Sequence, residues 1–193
     1  MSEERRGPQD LLARMTRREK VLGDQAQSLR AMIRTDASEI AVLDLESTGL
    51  VHGDFPVEAG VAIGRGEEPA TTYSSIIRPR AEWEAKKLSE RPAIHGLRVQ
   101  DVLCGMEPDA VCDDLDRLLD GRHVFIDGGD HDRYWLARLY GERRPTFTLA
   151  SLPEEEARQL EIIRRRSTPM HRALPDAVWA YRALRCIRNK DHA

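Results

Sequence analysis

Long apolar runs, a cysteine framework and an excess of charge of one sign are all missing from these 193 residues, and each absence removes a class of function. No stretch approaches the roughly 20 consecutive apolar residues that a membrane-spanning helix needs. The amino terminus, Met1-Ser-Glu-Glu-Arg-Arg6, does not read as a secretory signal, so the expected location is cytoplasmic. The three cysteines, Cys104, Cys112 and Cys186, are odd in number and unevenly spaced. That pattern fits a reducing compartment, without a disulfide framework or paired zinc-ligand spacing. Thirty basic against 33 acidic side chains leave a net charge of −3. Binding of nucleic acid by bulk charge is thereby excluded, and only a local or metal-assisted route to a polyanion remains. Aromatics are scarce too, and Trp83, Trp135 and Trp179 are expected in the core or at an interface rather than as a base-stacking platform. Repeats and low-complexity tracts are absent.

What is present begins with two acidic residues separated by one, Asp44 and Glu46, in the run Ile40-Ala-Val-Leu-Asp-Leu-Glu-Ser-Thr-Gly-Leu50. Residues two apart on a strand share a face, so both carboxylates point to one spot at the end of an apolar strand. Like charges held together repel unless a cation lies between them, and hard divalent ions take carboxylate oxygens. The spacing alone also arises by chance on solvated surfaces of charged chains. Its setting separates the two readings: Ile40 to Leu43 is β-prone, Ser47-Thr-Gly49 supplies a turn, and open α/β sheets bind ligands at the carboxyl ends of their strands.

The length suits one domain with a full core and an appendage. Residues 1–36 form the appendage, an amino-terminal helical extension in which Leu11, Met15, Leu22, Leu29 and Met32 make an imperfect apolar seam. It would pack on its own domain, pair with a second subunit to give a homodimer, or bind a partner protein, the first two being equally favoured. Residues 37–193 read as an α/β domain. Strands are expected at Glu39 to Leu45, Phe55 to Ile63 and Thr71 to Arg78, joined by short turns as an antiparallel meander. Further on come helical character after Pro79, a loop at His95-Gly-Leu97 and a helix through Val111, Leu115, Leu118 and Leu119 ended by Gly121. A strand at Val124 to Ile126, a helix from Asp132 to Tyr140, a last strand at Thr146 to Leu149 and a closing helix from near Pro175 through Ile187 complete the pattern.

Two further segments carry candidate chemistry. Asp132 follows the Val124 strand after the turn Asp127-Gly-Gly-Asp130; taken alone it fits a first-turn aspartate favoured by the helix dipole better than a ligand. In Met170-His-Arg-Ala-Leu-Pro-Asp-Ala177, Pro175 suits the first turn of a helix, which leaves His171 in the preceding loop, above a site that Asp176 enters from the helix. Alone, His171 fits a polar loop residue as well.

Together, Leu43-Asp-Leu-Glu-Ser-Thr-Gly-Leu50, Asp132 in Gly129-Asp-His-Asp-Arg-Tyr-Trp-Leu136, and His171-Arg-Ala-Leu-Pro-Asp176 resemble the three motifs of the DnaQ-like DEDDh 3′-5′ exonucleases. Ile94-His-Gly-Leu97 resembles a fourth landmark of that family, and the resemblance spans roughly Glu39 to Cys186. It implies a ribonuclease H-like fold, a five-stranded mixed sheet flanked by helices. It also implies two divalent cations, Mg2+ or Mn2+: one held by Asp44, Glu46 and Asp176, the other shared by Asp44 and supported by Asp132. His171 would be the general base, and nucleic acid 3′ ends, DNA or RNA, the substrate. Ser47, Thr48, Gly49 and Leu50, with His95 and Leu97, resemble the segments that receive the terminal nucleotide; Gly49 and His95 read equally as turn and loop residues. Arg172 would contact a phosphate or lie in solvent.

The chain departs from the family's second motif, having Asp127-Gly128 where many relatives carry His-Asn, and His131 where an aromatic usually precedes the aspartate. An extra acid near a phosphate path repels the strand unless neutralised, which leaves substrate preference open; Asp127 as a further ligand is the minor alternative. Rival functions are a noncatalytic interaction module keeping the fold, or a subunit of a larger nuclease or polymerase assembly.

Overall fold

In the computed structural model, residues 39–51, 53–90, 95–126 and 128–190 are described; the amino-terminal extension, Asp127 and Ile94 lie outside them. Five strands form one mixed sheet: β1 (Ile40–Ser47), β2 (Pro56–Gly64), β3 (Thr71–Ile76), β4 (His123–Ile126) and β5 (Thr148–Leu149), in the order β3-β2-β1-β4-β5. The first three make the antiparallel meander, while β1 pairs β4 and β4 pairs β5 in parallel. Parallel neighbours need crossovers, and helices supply them. They are α1 (Lys87–Glu90), α2 (Val99–Leu103), α3 (Pro108–Leu119), α4 (Asp130–Tyr140), α5 (Glu154–Arg164) and α6 (Ala173–Lys190).

β1 is central and covered on both faces, which is why Ile40 to Leu45 are all buried. Its odd-numbered residues Ala41, Leu43 and Leu45 enter the core made with Val111, Leu115 and Leu119 of α3 and Trp135, Leu136 and Leu139 of α4. Ile40 and Val42 enter a second core with Ala177, Ala180, Tyr181 and Leu184 of α6. By the same period of two, Asp44 and Glu46 fall on the α6 face.

Among the helices, α4 begins at Asp130 rather than Asp132, and α5 and the start of α6 also differ from expectation. α5 is not foreshadowed by periodicity, because Leu160 is its one buried side chain and acids fill its first turn. α6 begins two residues before Pro175, in the first turn, where the missing N–H costs no hydrogen bond. Among the described residues no helix is long and apolar enough to cross a membrane.

Candidate active site

β1 ends in a register shift between Glu46 and Ser47, so the chain turns away just after presenting its two carboxylates. Asp44 lies across from Gly60 of β2, and Glu46 across from Glu58. A Cβ on Gly60 would overlap the backbone of Ala173 and Leu174. Glycine there lets the start of α6 rest directly on the sheet, and one turn further on α6 carries Asp176. One carboxylate oxygen from each of Asp44, Glu46 and Asp176 lies within 4.8 Å of the others. Among the described residues this is the one cluster of such potential metal ligands.

α4 packs on the opposite face, and Asp132 from its first turn lines the same cavity of about 630 Å3 as the other three acids. The Gly128 N–H donates to Asp132 Oδ2 at 2.9 Å, and a side chain at 128 would collide with that carboxylate. His171 also lines the cavity, from the loop before α6, with a left-handed backbone (φ 51°) that few residues other than glycine adopt. Met170 N–H donates to Asp176 Oδ1 at 3.1 Å, tying the loop to the helix.

Burial first, then the Asp132, Glu46 and Asp176 charges, push the Asp44 carboxyl well above the usual range. Burial, with Asp176, Glu58 and Asp132, pushes Glu46 up to about 7, and burial pushes Asp132 up to about 7 against the Gly128 hydrogen bond. Asp44, Glu46 and Asp132 thus resist ionisation where they converge with Asp176 on one cavity. Hard oxygen donors that repel one another suit a small divalent cation such as Mg2+ or Mn2+.

No protein-family model and no curated protein matches the chain by sequence. Solved structures do match in shape. A 3′-exonuclease studied for 3′-end recognition of a histone mRNA stem-loop aligns at 16% identity and TM-score 0.56, over 96% of this chain and 76% of that one. The nuclease domain of 3′hExo, a DEDDh family member bound to rAMP, aligns at 14% identity and TM-score 0.54, over 79% of this chain and 92% of that domain. The chain has the DnaQ-like DEDDh exonuclease fold. Exonuclease I of E. coli, in a zinc-bound complex with single-stranded DNA, aligns at 13% identity and TM-score 0.54; the aligned region is 76% of this chain and 39% of that enzyme.

On this DEDDh-type frame, Ser47, Thr48, Gly49 and Leu50 line the cavity beside the acids. The Ser47 hydroxyl donates to the Gly49 carbonyl at 2.8 Å, and Thr48 exchanges hydrogen bonds with Phe55, so both also hold the turn. Leu50 stands at the mouth, 67% exposed, as does Met170. His95 and Leu97 are not brought into this cavity. They border a separate void of about 10 Å3 that adjoins the site only through Thr48. His95 is buried and its Nδ1 accepts the Leu97 N–H at 3.0 Å, which places its ring proton on Nε2. Burial pulls its pKa down, favouring the neutral ring.

Arg172 is paired with Glu58, with its own side chain 43% exposed. Two of the three tryptophans, expected in the core or at an interface, also line the cavity: Trp135 is buried, whereas Trp179 is half-buried with the Arg164 guanidinium 5.6 Å from its ring centroid. Trp83 is a core residue stacked on Phe55. Sequence reading missed Arg164 because its helix was missed. It also missed Glu58, although a lone acid inside the apolar run Phe55 to Ile63 is itself a sign of a buried partner.

A pH dependence follows. Asp44, Glu46 and Asp132 hold protons more tightly folded than unfolded, so the folded state binds more protons between the two sets of pKa values. Their contribution to stability is full below about pH 4 and is lost as pH rises, for Glu46 and Asp132 through about 7. In EDTA, the melting temperature should therefore fall across that range. Saturating Mn2+ at pH 8 should restore it, by about 2.7 kcal/mol at a hundredfold excess over Kd, or roughly 5–10 °C. Scanning calorimetry at pH 5 and pH 8 checks this; a metal-induced rise as large at pH 5 would refute it.

Proposed function

We propose that the protein is a metal-dependent 3′-5′ exonuclease, hydrolysing single-stranded DNA or RNA, or short oligonucleotides, to nucleoside 5′-monophosphates. The observation that carries this is the convergence of Asp44, Glu46, Asp132 and Asp176, from three separate chain segments, on one cavity that His171 also lines. A fold without this chemistry has no physical use for four mutually repelling acids there.

Asp44, Glu46 and Asp176 would hold one Mg2+ or Mn2+, and Asp44 with Asp132 the second. Bound divalent ions supply Lewis acidity, lowering the pKa of the attacking water and stabilising the leaving 3′ oxygen. His171, which lines the cavity from the loop before α6, would accept the proton of the attacking water as general base. Ser47 to Leu50 form the wall nearest the acids and receive the terminal sugar and base. The mouth residues Leu50 and Met170 are apolar and carry no base-specific donors or acceptors, which favours an unpaired 3′ end over a particular sequence.

The test is a digestion panel of single-stranded DNA, duplex DNA, RNA and a ribodinucleotide, each with Mg2+, Mn2+ or EDTA. Mononucleotide release from 3′ ends, dependent on metal, is expected with at least one unpaired substrate. If all four substrates survive both metals, the proposal fails.

A further inference from the structure

Glu58 is a glutamate 1% exposed in a strand whose nine residues are all buried. Its side chain lies on the α6 face of β2, in a row with Gly60, Ala62 and Gly64. Those three neighbours are small, which lets α6 come close, and Glu58 alone reaches out of the row. Arg172 Nη2 donates to Oε1 at 2.7 Å, and Arg172 Nε to Oε2 at 2.9 Å, a two-pronged charged pair. Ala173, the first residue of α6, donates its backbone N–H to Oε2 at 3.1 Å. The carboxylate therefore caps α6 from another strand, at the helix end that favours negative charge.

Desolvating the Glu58 carboxylate offsets much of its attraction to the half-exposed Arg172, so the pair is a poor stabiliser, and an apolar side chain would serve the core as well. What the pair supplies is position. We infer that Glu58, acting through Arg172 and the Ala173 N–H, is a positioning residue that sets where His171 and Asp176 stand over the cavity. This rests on the exonuclease reading above. His171 lies directly before the two anchored residues, and the Met170 N–H on its other side is held by Asp176. Its left-handed backbone persists because both flanks are held. Without the anchor, His171 can relax to an ordinary φ and swing from the cavity, and the first turn of α6, with Asp176, loses its fixed seat.

The test compares Glu58→Gln, Arg172→Lys, Arg172→Ala and the double variant Glu58→Gln/Arg172→Ala with the parent, all as full chains. Glu58→Gln keeps the shape, and Arg172 is 43% exposed on its side chain, so its variants are tolerated at the surface. With Mn2+ and a single-stranded oligonucleotide, Glu58→Gln and Arg172→Ala should each lower kcat about 10–100-fold with KM nearly unchanged, the scale of losing a partner that orients a ligand. Arg172→Lys should recover part of the loss, and the double variant should lose no more than either single one. A lower melting temperature with kcat unchanged within twofold would overturn the inference, leaving the pair as packing only. Isothermal titration with Mn2+ separates the two proposals. If the parent cleaves nothing but Glu58→Gln binds Mn2+ about tenfold more weakly, positioning stands and the exonuclease reading fails. If Mn2+ affinity and kcat are both unchanged, positioning fails whatever the parent cleaves.

Discussion

Asp44→Asn is expected to remove activity while making the metal-free protein more stable. Asp44 is 8% exposed and is crowded by Glu46, Asp132 and Asp176, whose charges all oppose its ionisation. An asparagine has the same shape and no charge, so near pH 8 the repulsion it would meet disappears. The melting temperature in EDTA should rise by a few degrees. The same exchange removes the one carboxylate assigned to both ions, so mononucleotide release should drop about 10²–10³-fold, the scale seen when one contact to developing charge is lost. The Mn2+-induced rise in melting temperature should shrink with it. Opposite signs for stability and activity mark a group kept for chemistry rather than folding. Calorimetry with and without Mn2+, beside a product assay, decides the matter: a variant less stable in EDTA than the parent would make Asp44 a structural residue.

Gly60→Ala should instead cost both stability and activity. Its Cβ would run into the carbonyl of Ala173 and the nitrogen of Leu174, backbone atoms that cannot rotate aside. The clash forces α6 off β2 or bends the strand, and overpacking of this kind costs about 3 kcal/mol or more. In a domain of this size that is roughly 6–12 °C of melting temperature. Because Gly60 sits across from Asp44, the displaced helix also takes Asp176 away from Asp44 and Glu46. Activity should therefore fall further than the folded fraction does, measured at a temperature where both proteins are folded. An alanine variant that melts within about 2 °C of the parent would show that α6 does not depend on this contact.

The two exchanges show where the reading of the chain was strong and where it was weak. The spacing of Asp44 and Glu46 was legible because a strand has a period of two and no apolar strand tolerates two acids on one face without a reason. The meander was legible from turn residues between apolar runs, whereas the place of β1 in the middle of the sheet was not, because it depends on β4 pairing in parallel along its far side. Helix α5 was not, since a helix that buries one leucine leaves almost no periodic signal. The separation of His95 from the cavity was likewise hidden, because motif order along the chain says nothing about which wall a loop side chain faces.

By itself, then, the amino-acid sequence determined the order of the strands, the longer helices other than α5, and the acidic residues available at their ends. Those follow from local periodicity and turn chemistry, which act over a few residues. Only the tertiary structure decided that Asp132 reaches the cavity from the opposite face of the sheet, that Trp179 and Arg164 line it, and that Glu58 binds Arg172 across 114 positions of chain. Such contacts depend on how close two elements come. At β2 that distance is set by the small side chains of Gly60, Ala62 and Gly64 and by the one buried charge beside them.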